Sequence, residues 1–572
     1  MAIFSYTRLK SSKMSLSVAN IAIRDLQGEG HHSPYANQNV TTTGIVTGVV
    51  RRGFFLQTAN KAWDGKGSDA IFVYSRDWKP NKGAKLVVSG ECLDYVKHET
   101  AKPVTQLRFE SAEIKSTDTD GVVAISLTQE FLPSDNAQLA ILLNSLEGML
   151  LAIEAGQTFV APSNTFGDYV LALDFPTPDE TAPRTKHGGF IGDQLNNTRW
   201  LPGFRVTNYN HAPRLNVGAR LNSRIEGPLN YRADSYQIAV SEPFEFEESF
   251  IEVTKSSLTA SAGALTIMTL NCFNLDPNVE SPLRVKNPRQ DVDDDWGEGR
   301  FHTLAQAVVL QANSPDIVAL QEIQDSDGAE MTNVVDAAET YRLLILTIKQ
   351  LSGIEYAWVD MSPELGADGG QPGGNIRNGY LYNPNRVSVD VESLHVLGKG
   401  NWAFDDSRKP LVCDFIEKES AKRLTLINVH LASKRHQESI FAVADPGSDG
   451  KLGVRVEQAH LIHREAERTL LHGNEYYITG DFNDSEYSRT LDALCADNAV
   501  NLVMQLPAVE RYDYNHRGKL QVLMHGIVSG SLAKSARAEY EIINGNELIG
   551  VTPGEANDKP SDHAYVIAKI TL

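Results

Sequence analysis

From Val18 to about Ile114 the apolar residues come in short β-branched and aromatic runs, "VTTTGIVTGVV", "GFFLQT", "DAIFVYS" and "KLVVSGECL", separated by Gly, Asn and Pro. Alternation inside the runs and turn residues between them, at roughly ten-residue spacing, predict a small all-β barrel or sandwich. It is placed at 18–118, behind an N-terminal tail of residues 1–17. A second β-rich stretch, 119–255, contains a helical pattern in "NAQLAILLNSLEGMLLAIEAG" and a closing pair of strands in "LNVGARLNSRIEGPLNYRADSYQIAV". The polar segment "PTPDETAPRTKHGGFIGDQLNNTRW" between them reads as a loop.

After a small-residue linker, "KSSLTASAG", the period changes. "ALTIMTL", "DIVALQ", "NGYLYN", "LVCDF", "RLTLINVHL", "QVLMHGIVS" and "HAYVIAKI" predict strands. Phe301, Leu304, Val308 and Ala312 recur at helical spacing, with Pro315 just beyond, and "VVDAAETYRLLILTIKQL" and "VRVEQAHLIHREAERTLL" predict two more helices. Strands alternating with helices, some strands in adjacent pairs, indicate an α/β domain of layered mixed sheets at 260–572.

Length supports this division, since 572 residues exceed what one core can organise. No run of about eighteen apolar residues is present, so no membrane span is expected. Acidic residues outnumber basic ones 73 to 53, a formal charge of −20, which argues against a general electrostatic grip on nucleic acid or an anionic membrane. Any phosphate must be met locally. Cys92, Cys272, Cys413 and Cys495 lie far apart without zinc or redox spacing and read as small core residues. The N-terminus, "MAIFSYTRLKSSKMSLSVANIAIRD", lacks the continuous apolar stretch of a secretory signal.

The chemistry collects where strands of the last domain end. Asn271 follows "TIMTL", Glu322 follows "IVALQ", His430 follows "TLINV", Asp481 and Asn483 follow "YYITG", and Asp562-His563 stand before the final strand. Carboxylates and amides without a thiolate suit a hard ion, Mg²⁺ or Mn²⁺, while the histidines suit proton transfer or oxyanion stabilisation. Phosphate-ester hydrolysis needs those parts. In "NIRNGYLY" alternation puts Arg377, Gly379 and Leu381 on one face and Asn378, Tyr380 and Tyr382 on the other.

In order, "TLNCFNL", "DIVALQEIQD", "GGNIRNGYLYNP", "INVHLASK", "ITGDFND" and "SDHAYV" resemble the motifs of the endonuclease/exonuclease/phosphatase superfamily. The resemblance implies a deoxyribonuclease I-like four-layer α/β sandwich over about 300 residues, preceded by all-β, OB-fold-like domain(s). "QPGGNIR" and "DDDWGEGRF" are similar to the bacterial, often extracellular, nuclease branch, which implies an extracellular or periplasmic protein. Carried over residue by residue, Glu322 is the principal metal ligand, with Asn271 beside it and Asp562 completing the set. Asp481 orients the nucleophilic water or joins the metal, Asn483 holds a phosphate oxygen, and His430 and His563 flank the scissile phosphate. Either Arg377 or Asn378 faces the substrate. Gly480 permits close approach to the bound phosphate.

One departure bears on competence. The family's penultimate strand carries an Asp before its His, whereas this chain reads Met524-His525. That Asp fixes the histidine matched by His563, so its replacement implies a poorly oriented ring and weak turnover. Asp513 and Asp558 are the nearby carboxylates that could stand in.

The leading expectation is a metal-dependent phosphodiesterase acting on DNA, possibly also RNA, with the upstream modules as accessories. The alternatives are a phosphomonoesterase or lipid-headgroup phosphodiesterase, or a nucleic-acid-binding protein with impaired catalysis. The acidic loop "DVDDDWGEG" reads most simply as solvated, with an additional Ca²⁺ as the other reading; Trp296 stands where an EF-hand loop needs glycine. "ASKRHQ" is either ordinary surface or a phosphate-steering patch. Phe54 or Phe55 could stack on bases, although one of an adjacent pair on a strand must face the core.

Overall fold

The computed structural model describes residues 20–59, 61–117, 121–176, 183–192, 199–535 and 537–572. The expected tail, 1–17, and much of the expected polar loop lie outside the described residues.

Five strands close into a barrel in the order Asn39–Val50, Gly53–Gln57, Ala70–Tyr74, Val104–Ser116, Lys85–Tyr95. All pairings are antiparallel except that of Ala70–Tyr74 with Val104–Ser116. Val40, Phe54, Leu56, Ile71, Val88 and Leu107 fill it. Neither phenylalanine is free to stack on a base. Phe54 packs edge-on against Trp78 and Phe109, and Phe55, on the other face, is buried against Phe72.

The second unit is a nine-stranded sheet between Ile125 and Glu247 around Phe159, Tyr169, Phe204 and Tyr236. Its helix is shorter than the pattern predicts. Asp135 caps Asn136–Ser145, but Gly148 then turns the chain at φ +78° and Leu150–Ile153 pairs with Ile225–Arg232 as a strand. Tertiary pairing outweighs the helical propensity of "LLAI" there.

Two six-stranded sheets build the last unit. The first runs Ala357–Asp360, Arg377–Tyr382, Ile317–Ile323, Ala264–Leu275, Tyr565–Thr571, Ala538–Ile543. The second runs Val387–Val396, Leu411–Glu417, Arg423–His430, Glu475–Asp481, Met524–Val528, Val500–Asn501. Ile267, Ala319, Tyr380, Leu426, Tyr477 and Val566 pack between the sheets. Their neighbours Met268, Leu320 and Leu381 instead meet the outer helices Arg300–Gln306 and Ala338–Ser352. On the outer face of the second sheet, Ile427 and Ile478 meet Leu452–Leu471 and Arg489–Leu494. Burial on both faces explains why these strands read as continuous apolar runs.

The units are stitched together. Phe190–Ile191 pairs in parallel with Lys519–Leu520, forming a small sheet with Tyr514–His516. Asn515 Nδ2 donates to the Val160 carbonyl at 2.9 Å, and Ser163 Oγ to that of Val551 at 2.7 Å. Phe441 inserts into the core of the second unit. Lys102 and Glu147 form a buried ion pair between barrel and nine-stranded sheet, 2.5 Å apart.

Candidate active site

Asn271, Glu322, His430 and Asp481 lie at the same end of the two sheets because their strands run parallel within each sheet: Asn271 pairs with Gln321, and His430 with Asp481. Both strands of the first sheet are irregular here. Register shifts occur between Asn271 and Leu275 and between Leu320 and Ile323, and Phe273, Asn274 and Glu322 have φ of +53°, +58° and +56°. Bulges re-aim side chains at sheet rims, and a non-glycine residue in this region costs about 1–3 kcal/mol. That strain is spent on turning Glu322 towards Asn271 and His430.

The contacts form a chain. Asn271 Nδ2 donates to Glu322 Oε1 at 3.3 Å, while its Oδ1 accepts the Phe273 N–H at 2.9 Å. His430 Nε2 lies 3.6 Å from Glu322 Oε1 and 3.5 Å from Asp481 Oδ2. On the far side of Asp481, His563 Nε2 is 3.7 Å from Oδ2 and 3.9 Å from Asp562 Oδ1. Asn483, at φ +51°, donates its N–H to Asp481 Oδ1 at 2.8 Å and its Nδ2 to the Leu431 carbonyl at 3.1 Å.

Gly480 is explained by the sheet itself, not by a ligand. A Cβ there would stand 1.9 Å from the carbonyl oxygen of Val429 on the adjacent strand, and φ is +138°. Close packing of two strands, each ending in a site residue, requires glycine.

Met524 does not orphan His563. His563 Nδ1 donates to Asp513 Oδ1 at 3.0 Å, and Asp513 Oδ2 accepts the N–H groups of Leu523 and Met524 at 2.9 and 3.0 Å. The carboxylate is completely buried and held at both oxygens. Met524 lies in the core between the sheets. Asp558 is engaged elsewhere, 2.7 Å from Arg214. His525 is structural: Asn501 Nδ2 donates to its Nδ1 at 3.0 Å and its Nε2 donates to the Asp484 carbonyl at 2.9 Å.

Electrostatics separate the two site histidines. Burial, joined by Arg408, the His563 charge and Arg435, holds His430 well below the ordinary histidine value, so it is neutral. Burial opposes the charge of His563 too, but Asp562, the Asp513 hydrogen bond and Asp481 outweigh it and raise it to about 10. One neutral and one protonated imidazole therefore flank Asp481. Burial also pushes Glu322 up to about 7, assisted by Asp562 and Asp481 and opposed by Arg408 and Asn271. Asp481 is raised by burial, with His563 the main opposing influence.

Arg377 and Asn378 do not share a surface. Arg377 is buried, its Nη1 3.4 Å from Asp360 Oδ2 and 3.2 Å from Ser362 Oγ, with Nη2 donating to the Asn375 carbonyl at 3.1 Å. Its Nε has no partner, and the expectation from the sequence is that either this residue or Asn378 faces the substrate. Asn378 points to the second sheet, donating Nδ2 to the carbonyls of Lys409 and Asn428 at 3.1 and 3.2 Å, with its buried Oδ1 unpaired.

Sequence reasoning missed two neighbours. Arg408 is buried, donates Nη2 to the Leu431 carbonyl at 3.1 Å, leaves Nε unpaired and lowers the proton affinity of Glu322 and Asp481. In "DDSRKPL" it reads as a loop cation; only its position before the Leu411–Glu417 strand hinted at burial. Tyr514 packs on the His563 ring with centroids 4.9 Å apart. In "ASKRHQ", Lys434 is 3.2 Å from Asp484 Oδ1 and Arg435 is exposed; the His436 side chain lies outside the described residues. Glu322 and Asp562, which act on one another electrostatically, and the Asn271 amide are hard oxygen donors of the kind a divalent cation of the Mg²⁺ type takes, with Asn271 Oδ1 occupied by the Phe273 N–H.

Residues 270–522 match the Endonuclease/Exonuclease/phosphatase family, a segment that holds Asn271 to Asp513 but not Asp562 and His563. Residues 110–249 match a domain of unknown function (DUF8508). Among curated proteins no relative matches. Similar solved structures include a humanized D. rerio TDP2 (15% identity over 54% of this chain and 100% of that one, TM-score 0.35). Others are an endonuclease/exonuclease/phosphatase from Bacteroides vulgatus (13%, 54% and 99%, 0.34) and the human Nocturnin catalytic domain (15%, 54% and 95%, 0.34).

Proposed function

We propose that the chain is a divalent-metal-dependent phosphodiesterase that cleaves nucleic acid, DNA first and RNA alongside it. The observation that carries this reading is the placement of His430 and the Asp513-backed His563 on either side of Asp481, next to the Asn271–Glu322 pair. Glu322, Asp562 and Asn271 would hold Mg²⁺ or Mn²⁺, which supplies charge neutralisation at phosphorus when bound. Asp481, between the two histidines, would orient or deprotonate the attacking water. His563, as a cation, donates to a phosphate oxygen or to the leaving group, and neutral His430 donates through Nε2. Arg408 adds a buried positive charge that lowers the proton affinity of Glu322 and Asp481.

We also assign the two-sheet unit to the deoxyribonuclease I-like four-layer sandwich, on its match and on helices covering both outer faces. The five-stranded barrel, with its single parallel pairing, is proposed as an OB-like accessory. The Asp513–His563 pair supports turnover over the reading of a binding protein without it.

Incubation of supercoiled and linear DNA with Mg²⁺, Mn²⁺, Ca²⁺ or chelator tests the proposal. Metal-dependent strand cleavage that Glu322→Gln abolishes is expected. Release of inorganic phosphate from monoesters with intact DNA, in every metal, would sink the nuclease reading.

A further inference from the structure

The proposed chemistry leaves unused a group of acids beside the strand that carries Asn271. Asp276, Asp293 and Asp295 each offer a carboxylate oxygen within 4.8 Å of the other two. Such a cluster alone is unremarkable, but two further observations single this one out. Asp276 is 1% exposed, and its Oδ2 is buried without any hydrogen-bond partner. A desolvated carboxylate oxygen left unsatisfied is costly unless a proton or a cation meets it, and burial beside Glu280 and Asp295 pushes Asp276 up to about 9, so a bound cation would displace a proton there. Negative charge is also in excess. Glu280 adds a fourth carboxylate, accepting the N–H groups of Asp293 and Ala329 at 3.2 Å each. Among the described residues Arg300 is the one cation paired with these aspartates, and it reaches only two of the three: it contacts Asp295, and its Nη1 is 3.9 Å from Asp293 Oδ2. Backbone shape fits as well, since Gly328, at φ +65°, lies where a Cβ would be 2.4 Å from Glu280 Oε1 and 2.7 Å from Asp276 Oδ1.

We propose that Asp276, Asp293 and Asp295, with Glu280 alongside, form a second divalent-cation site that takes Ca²⁺ and braces the active-site strand. Oxygens sharing one Ca²⁺ at roughly 2.3–2.6 Å cannot be more than about 5 Å apart, which the cluster satisfies. Several protein carboxylates in irregular array, one of them partly exposed (Asp293, 41%), suit the flexible shell of Ca²⁺. Mg²⁺ demands near-octahedral geometry and keeps several waters. The site shares no residue with the catalytic set. Its mechanical link is Arg300, which runs from Asp295 to the carbonyls of Cys272 and Phe273, with Nη2 donating at 2.8 and 2.7 Å. Phe273 in turn donates its N–H to Asn271 Oδ1. The loop "DVDDDWGEG" is solvated only in part: Trp296, Gly297 and Glu298 are exposed, but Asp295 is fully buried and Asp291 is 5% exposed.

The test uses the full chain carrying Glu322→Gln, which disables the catalytic ion site, stripped with chelator and dialysed against radioactive Ca²⁺. One bound Ca²⁺ and a Ca²⁺-dependent rise in the thermal midpoint are expected. Asp293→Asn, at the exposed rim, and Asp276→Asn should each weaken binding roughly ten-fold or more and abolish the rise, with near-ultraviolet circular dichroism like the parent's. No Ca²⁺ bound at millimolar concentration, or Asp293→Asn and Asp276→Asn variants that bind it as the parent does, would overturn the proposal. Preferential saturation by Mg²⁺ would overturn the choice of ion.

Discussion

Asp513 decides what the Met524 substitution means. The departure is visible in the sequence because Met524 and His525 are neighbours, but its compensation is not, because Asp513 arrives from another element and meets His563 fifty residues on. Asp513→Asn should reduce turnover by roughly 10- to 100-fold and move the basic limb of the pH–rate profile down, since His563 loses the hydrogen bond that helps hold it near 10. Met524→Asp should give no gain and lower stability by about 3 kcal/mol or more, as it places an unpaired carboxylate in the core beside Asp513. A ten-fold faster Met524→Asp enzyme would reverse this account. The same histidine bears on stability. Its value is raised on folding, so its contribution is complete below the ordinary histidine value of 6.5 and is lost as pH climbs towards about 10. Arg408 acts with opposite sign on the carboxylates: because it lowers the proton affinity of Glu322 and Asp481, Arg408→Met should shift the acidic limb upward. A pH–rate series on the variant checks it.

At the level of elements, the strands of the last unit follow the pattern closely because each is buried on both faces, as Ile267 and Met268 on opposite sides of one strand illustrate. What the pattern hides is irregularity. The bulges that turn Glu322 and Asn271 inward leave no periodic trace, and the stop after Ser145 depends on a strand partner eighty residues away. Site residues are therefore legible as strand ends, while their mutual geometry is not. Gly480 was visible as unusual for a strand, yet the cause is Val429, not a ligand. Gly480→Ala should cost about 3 kcal/mol or more, because a 1.9 Å approach to a backbone carbonyl is relieved only by separating the strands that present His430 and Asp481. Thermal unfolding of the variant measures this, and a midpoint equal to the parent's would show that the strands can part without penalty.

On the scale of the whole molecule, sequence pattern separates three stretches because each has its own core, but it cannot show surfaces that one stretch lends another. The segment from Tyr514 to Gln521 lies against Asp513 and His563, and its outer strand is completed by Phe190–Ile191 from the second unit. The chain after His430 likewise leaves the two-sheet unit: Val443 donates its N–H to the Thr100 carbonyl at 3.2 Å, Thr100 donates to Glu438 Oε2 at 2.9 Å, and Phe441 is buried among residues of the nine-stranded sheet. Among the described residues upstream of residue 255 no metal-holding group of His, Cys, Asp or Glu is found, and the expectation from the sequence is that these parts supply affinity for long substrates. The packing argues for more. A chain shortened to residues 261–572 would expose Phe441 and leave Lys519–Leu520 as an unpaired edge beside the Asp513–His563 pair. Turnover at saturating substrate should therefore fall along with affinity, and the thermal midpoint should drop by several degrees or more. A chain of residues 121–572, which keeps the second unit and loses the barrel, should retain turnover and lose mainly affinity. Equal turnover in all three chains would mean that the upstream sheet braces nothing the chemistry needs; a loss shared by both shortened chains would bring the barrel, through Thr100 and Lys102, into the same framework.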